Sequence, residues 1–101
     1  MPEKEFKIWL EDGLVLAWRD SGSGGISSFR VVLLAEIDGE IHCVARYDTA
    51  HGVPHQDILG LKGGLLAKHW FFEYEVKAIF EYAVDDLQDN AKQYISFFRS
   101  N

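Results

Sequence analysis

The sequence holds a single cysteine, Cys43, so no internal disulfide can staple the chain. Its setting, Ile41-His-Cys-Val-Ala45, reads as a strand interior, where a thiol packs as a small hydrophobe rather than serving as an activated nucleophile. Long apolar runs are also missing. The N-terminal Met1-Pro-Glu-Lys-Glu-Phe6 lacks the apolar core of a secretion signal, and no stretch approaches the length that crosses a bilayer. The expectation is a cytoplasmic protein with no membrane contact. Basic residues are few: 10 Lys and Arg against 16 Asp and Glu give a formal net charge of -6, which repels phosphate backbones and anionic lipid. Binding to nucleic acid would need a local basic patch.

What is present suits one compact core. The 101 residues are 48% hydrophobic and 14% aromatic, too apolar for a disordered chain and too short for two separate cores, so residues 1–101 read as a single domain. Phe6–Leu10 and Leu14–Trp18 are strand-like and flank Asp12-Gly13, a two-residue hairpin signal. The Gly/Ser-rich Ser21–Ser28 carries little apolar surface and reads as a mobile connector; it lacks the Gly-Lys-Ser/Thr ending of a phosphate-binding loop. Phe29–Ile37 and Glu40–Asp48 are rich in strand formers around a second such turn, Asp38-Gly39. With a two-residue turn, Leu33 opposes Val44, Val31 opposes Arg46 and Phe29 opposes Asp48. Both faces of that hairpin hold apolar residues, so a helix would cover one face and loops or a second subunit part of the other, which leaves a homodimer open.

A turn-rich stretch follows Asp48, and Leu65–Phe72 is a candidate last strand. From about Glu73 to Phe98 the apolar residues Val76, Ile79, Phe80, Ala83, Leu87, Ala91, Tyr94 and Phe98 recur at helical spacing. The predicted fold is α+β: an antiparallel sheet of four or five strands, built from two hairpins and packed against one long C-terminal helix.

Chemistry concentrates in Arg46-Tyr-Asp-Thr-Ala-His-Gly-Val-Pro-His-Gln-Asp57. Arg46 and Asp48 share a strand face, and His51, His55 and Asp57 follow in a loop bent by Gly52 and stiffened by Pro54. These five residues are the candidate catalytic set, with no cofactor. Three readings stay open. Two histidines could act as general base and acid beside Arg46, as ribonuclease-like phosphodiester cleavage requires. They could instead join Asp48 or Asp57 around zinc or another divalent transition ion. Or the cluster is structural, with Asp48 closing the turn, Arg46 paired to an aspartate and the histidines bonded to loop carbonyls. Elsewhere the ordinary readings suffice: His42 and His69 as strand histidines, Asp85, Asp86 and Asp89 as a solvated helix face, and Trp9, Trp18 and Trp70 as core builders rather than base-stacking platforms.

The segment Arg46-Tyr-Asp-Thr-Ala-His-Gly-Val-Pro-His55, together with a helix containing Ala83–Asn90 and Tyr94, resembles small prokaryotic proteins similar to the TumE-like toxin components of toxin–antitoxin modules. The likeness covers about the second half of the chain. It implies a prokaryotic cytoplasmic protein with an antitoxin protein as partner and RNA as substrate. The expected activity is a metal-independent endoribonuclease using the Arg46 to Asp57 loop. The alternative is a non-enzymatic binding module for a partner protein, small anion or metal, with a structural polar loop.

Overall fold

The computed structural model describes residues 3–22, 25–49 and 52–101. Strands β1 (Glu3–Trp9), β2 (Leu14–Gly22), β3 (Gly25–Ile37), β4 (Glu40–Asp48), β5 (His55–Gly60) and β6 (Gly64–Trp70) form one antiparallel sheet in sequence order. Helices α1 (Val76–Asp89) and α2 (Ala91–Ser100) complete the chain. The expected four or five strands are thus six, and the one long helix is two.

Each correction has a local cause. β5 was hidden because its first three residues, His55, Gln56 and Asp57, are polar, yet all are buried, His55 and Asp57 against charged side chains of the neighbouring strands and Gln56 against Tyr94 of α2. The helix divides at Asn90, the one residue between the two helices, with φ -115° and ψ 23°. Its side-chain amide donates to the Asp86 carboxylate at 2.7 Å, the kind of local bond by which asparagine competes with helical geometry. The apolar spacing runs straight through the break: Ile79, Phe80, Ala83 and Leu87 of α1 and Ala91 and Phe98 of α2 are all buried. Periodicity alone could not reveal it.

The turn between β3 and β4 has the expected type, with positive φ at Asp38 (53°) and Gly39 (87°). The register beyond it does not hold. A bulge shifts the pairing so that Leu34 faces Cys43 but Leu33 faces Ala45, and Val31 then opposes Tyr47 rather than Arg46. That shift puts Tyr47 on the helix side and Arg46 on the other. Asp12-Gly13 does join β1 to β2, although within a longer loop, since Trp9 pairs with Leu14. Gly13 answers to a close approach: a Cβ there would lie 2.4 Å from the Leu34 carbonyl oxygen. The Gly/Ser-rich stretch is also largely strand rather than connector, with β2 running to Gly22 and β3 starting at Gly25.

Both helices lie on one side of the sheet. There Val15, Ala17, Phe29, Val31, Leu33 and Ala45 are buried, and Phe80 of α1 meets Phe29 edge-on at 5.5 Å. Full burial of one such leucine or phenylalanine contributes about 1.5–3 kcal/mol. The alternate residues of the same strands face away from the helices, and all three tryptophans are among them by register. Trp9 is 75% exposed, and no tryptophan belongs to the buried core, so the core-builder reading is corrected. Burial of a layer on one side only leaves Leu14, Leu16, Val32 and Leu34 half-buried on the helix-free side.

Candidate functional site

Two adjacent rows of paired residues cross the helix-free face. One runs Lys7, Leu16, Val32, Arg46, Asp57, Lys68, and the other Glu5, Trp18, Arg30, Asp48, His55, Trp70. Their ends on β4, β5 and β6 hold the charges. Strand alternation puts Arg46 and Asp48 of β4 beside Asp57 and His55 of β5, because opposed residues of antiparallel strands share a face.

Asp57 is the hub. It is 2% exposed, yet both of its oxygens meet cations: Arg46 donates to Oδ2 from Nε at 2.8 Å and lies at 2.6 Å through Nη2, and Lys68 Nζ donates to Oδ1 at 2.9 Å. Burial pushes this carboxyl up, but the hydrogen bonds and charges of Lys68 and Arg46 outweigh it and hold the group below the usual aspartate range. His55 is 1% exposed, with Nε2 at 3.0 Å from Asp48 and 3.7 Å from Asp57, Nδ1 at 3.3 Å from the Val53 carbonyl, and the Trp70 ring over it at 4.8 Å. Arg30 approaches Asp48 less closely, at 3.8 Å. Thr49 ties the end of β4 to β3, its hydroxyl accepting the Phe29 N–H at 3.0 Å and its N–H donating to the Phe29 carbonyl at 3.2 Å.

Of the five sequence candidates, Arg46, Asp48, His55 and Asp57 thus come together. His51 lies outside the described residues, so the idea of two imidazoles around one anion-sized site has only its His55 half in view.

The residues between these charged ones point the other way. Tyr47, between Arg46 and Asp48, donates to Asp86 Oδ2 of α1 at 2.6 Å; Gln56, between His55 and Asp57, donates to the Tyr94 hydroxyl of α2 at 2.8 Å; and Tyr94 donates in turn to the same Asp86 oxygen. Burial, then the bond to Asp86, raises both tyrosines, Tyr94 to about 12. Both therefore stay protonated donors at neutral pH. Sequence reading missed Lys68, Tyr47, Gln56, Asp86 and Tyr94 as members of polar networks, and it took Asp86 for a solvated face. The repeated Arg-Tyr-Asp and His-Gln-Asp triplets at 46–48 and 55–57 were the available signal for the strand residues. The helix partners lie 38 and 39 residues away and left none.

A family model described as a domain of unknown function, DUF7718, matches residues 1–101. The chain belongs to this family. No curated protein and no solved structure matches it.

Because the DUF7718 match spans the whole chain, the sheet, both polar networks and the two helices all fall within one family domain. Asp48, His55 and Asp57 of this DUF7718 chain each offer a ligand atom, all within 4.8 Å of one another, a set that a divalent transition ion could use. The surroundings fit a metal poorly. Arg46 and Lys68 already occupy the two oxygens of Asp57, and a third cation there would meet two positive charges at close range in a site of low dielectric. His55, the imidazole of the cluster, is 1% exposed, whereas a general base must come within hydrogen-bond reach of the proton it takes. Cys43 is no alternative nucleophile: it is half-buried, burial raises its thiol, and the S–H donates to the Ala45 carbonyl. Among the described residues no helix is long and apolar enough to cross a membrane.

Proposed function

We propose that the chain is a non-enzymatic binding module that docks a second copy of itself on the helix-free face of the sheet. The observation that carries the first half is the closure of the cluster: Asp48, His55 and Asp57 are each at most 5% exposed and engaged with one another or with neighbouring cations. A buried ion cluster of this kind holds β4, β5 and β6 in register and keeps the Asp48 and Asp57 carboxylates and the His55 imidazole away from solvent. The second half is supported by the apolar end of the same face, where Trp9 is exposed and Leu14, Leu16, Val32 and Leu34 are half-buried, with no covering layer among the described residues. A partly exposed apolar patch of this kind, rimmed by polar residues, is what a protein partner covers. Charges of both signs flank it, Lys7 and Arg30 against Glu5 and Glu36, so a twofold contact can set opposite charges against each other.

The direct test is mass in solution by light scattering over a range of concentrations. The expected mass is twice the 11.5 kDa of the chain, falling to the single value in Leu16→Lys with the unfolding transition unchanged. A monomer at all concentrations overturns self-docking. A heterocomplex with a small protein encoded beside it, disrupted by the same substitution, would instead favour the antitoxin partnership that the TumE-like resemblance implies. Cleavage of a mixed single-stranded RNA pool by the wild type, absent in His55→Gln, would overturn the non-enzymatic half.

A further inference from the structure

On the helix side, three irregularities of the backbone meet at one cleft. The bulge in β4 falls at Val44, Ile58 and Leu59 of β5 lie opposite a second bulge at Leu66 of β6, and the helix divides at Asn90. Val44, Ile58, Leu59 and Asn90 line a cleft of about 390 Å³ between strands and helices, which Tyr94 and Phe97 close from α2. Bulges re-aim side chains and interrupt pairing next to binding sites, and a volume of this size lies in the range of small-molecule pockets.

The walls are mostly apolar; Asp57 and Gln93 also border the cleft, but Asp57 is already matched by Arg46 and Lys68, and Asp86 is the carboxylate there with no cation paired to it among the described residues. Its Oδ2 accepts from Tyr47 and Tyr94 and its Oδ1 from Asn90, all neutral donors. The tyrosines hold the carboxylate in place without cancelling its charge.

We infer that this cleft binds a small organic cation, a primary ammonium or amidinium carried on an apolar body, with Asp86 as counter-charge and Ile58, Leu59 and Phe97 around the body. A charged head against the half-buried Asp86 carboxylate gives selectivity by sign, since an anion of the same shape meets repulsion and a neutral isostere loses the charge-assisted hydrogen bond. The inference is independent of self-docking, which uses the opposite face.

The test is titration of the full chain with phenethylammonium, 2-phenylethanol and phenylacetate, followed by calorimetry and by backbone amide shifts. The expected result is binding of the ammonium at least about tenfold tighter than the alcohol, with phenylacetate weakest and shifts centred on Leu59, Asn90, Tyr94 and Phe97. Asp86→Asn should remove that tenfold preference. Because this change also touches the tyrosine network, Phe97→Ala serves as a second variant at a partly exposed wall, and it should weaken the ammonium and the alcohol alike. Equal binding of cation and anion, no binding of any probe, or shifts confined to the helix-free face would overturn the inference. Leu16→Lys should bind the ammonium as the wild type does, so loss of the dimer and loss of the cleft are read separately.

Discussion

The two polar networks share the same pair of strands and differ in how charge is balanced. On the helix-free side, Asp57 is matched by Arg46 and Lys68, and the cluster joins neighbouring strands of one sheet. On the helix side, Asp86 is held by two tyrosines and an asparagine, and the network joins sheet to helices. Residues 46–48 and 55–57 feed both, outer residues to one side and the middle residue to the other, because side chains alternate along a strand. The difference teaches that proximity of titratable groups is not by itself a sign of catalysis. A carboxylate saturated by cations is closed to further partners. One held by neutral donors beside a cleft keeps its charge available.

The largest contrast should come from Asp57→Ala. It strands Arg46, Lys68 and His55 beside an empty position, and breaking a buried ion pair at one partner costs about 3–5 kcal/mol. Urea unfolding should show the loss; a cost under about 1 kcal/mol would mean that the cluster is not closed. Asp86→Ala comes next, at about 1–3 kcal/mol, because it leaves the hydroxyls of the buried Tyr47 and the half-buried Tyr94 without their acceptor. A double-mutant cycle with Tyr47→Phe and Tyr94→Phe should give non-additive losses, since both donate to one oxygen.

Acid should separate the networks further. The Asp57 carboxyl is lowered in the folded state, so its contribution is present above the ordinary value of about 3.9 and is lost as pH falls through the folded one. Unfolding free energy followed below about pH 4 should therefore fall, and the slope should flatten in Asp57→Asn. At the other end, Tyr94 is raised to about 12, so its contribution is lost as pH rises from about 10 through 12, and Tyr94→Phe should blunt that alkaline loss. The smallest effect belongs to Arg30→Ala. Its side chain is 60% exposed and sits 3.8 Å from Asp48, and such pairs are worth under about 1 kcal/mol, so the unfolding midpoint should barely move.

The central hairpin was legible in the sequence because its turn chemistry is local: Asp38-Gly39 takes the positive φ that the dipeptide favours. The face of each residue was not, since the bulge at Val44, opposite Leu33 and Leu34, shifts the register by one and no residue there announces it. The charged half of the site was legible for the same local reason, as Arg46, Asp48, His55 and Asp57 lie within twelve residues. Lys68 was lost with the missing strand, because only pairing of β5 with β6 carries it to Asp57. The tryptophans show the opposite failure: composition favours them in a core, and here the sheet turns them to the side without helices.

Native-state hydrogen exchange of β5 tests most directly whether the cluster is a closed structural element. If it is, the amides of Gln56, Asp57 and Ile58 should exchange only with global unfolding, within about tenfold of Val31 and Leu33 in the core, because no local opening exposes the buried charges. Exchange of β5 orders of magnitude faster than β3, through a local opening that bares His55 while the core stays folded, would contradict the closed cluster and restore it as an accessible acid–base site.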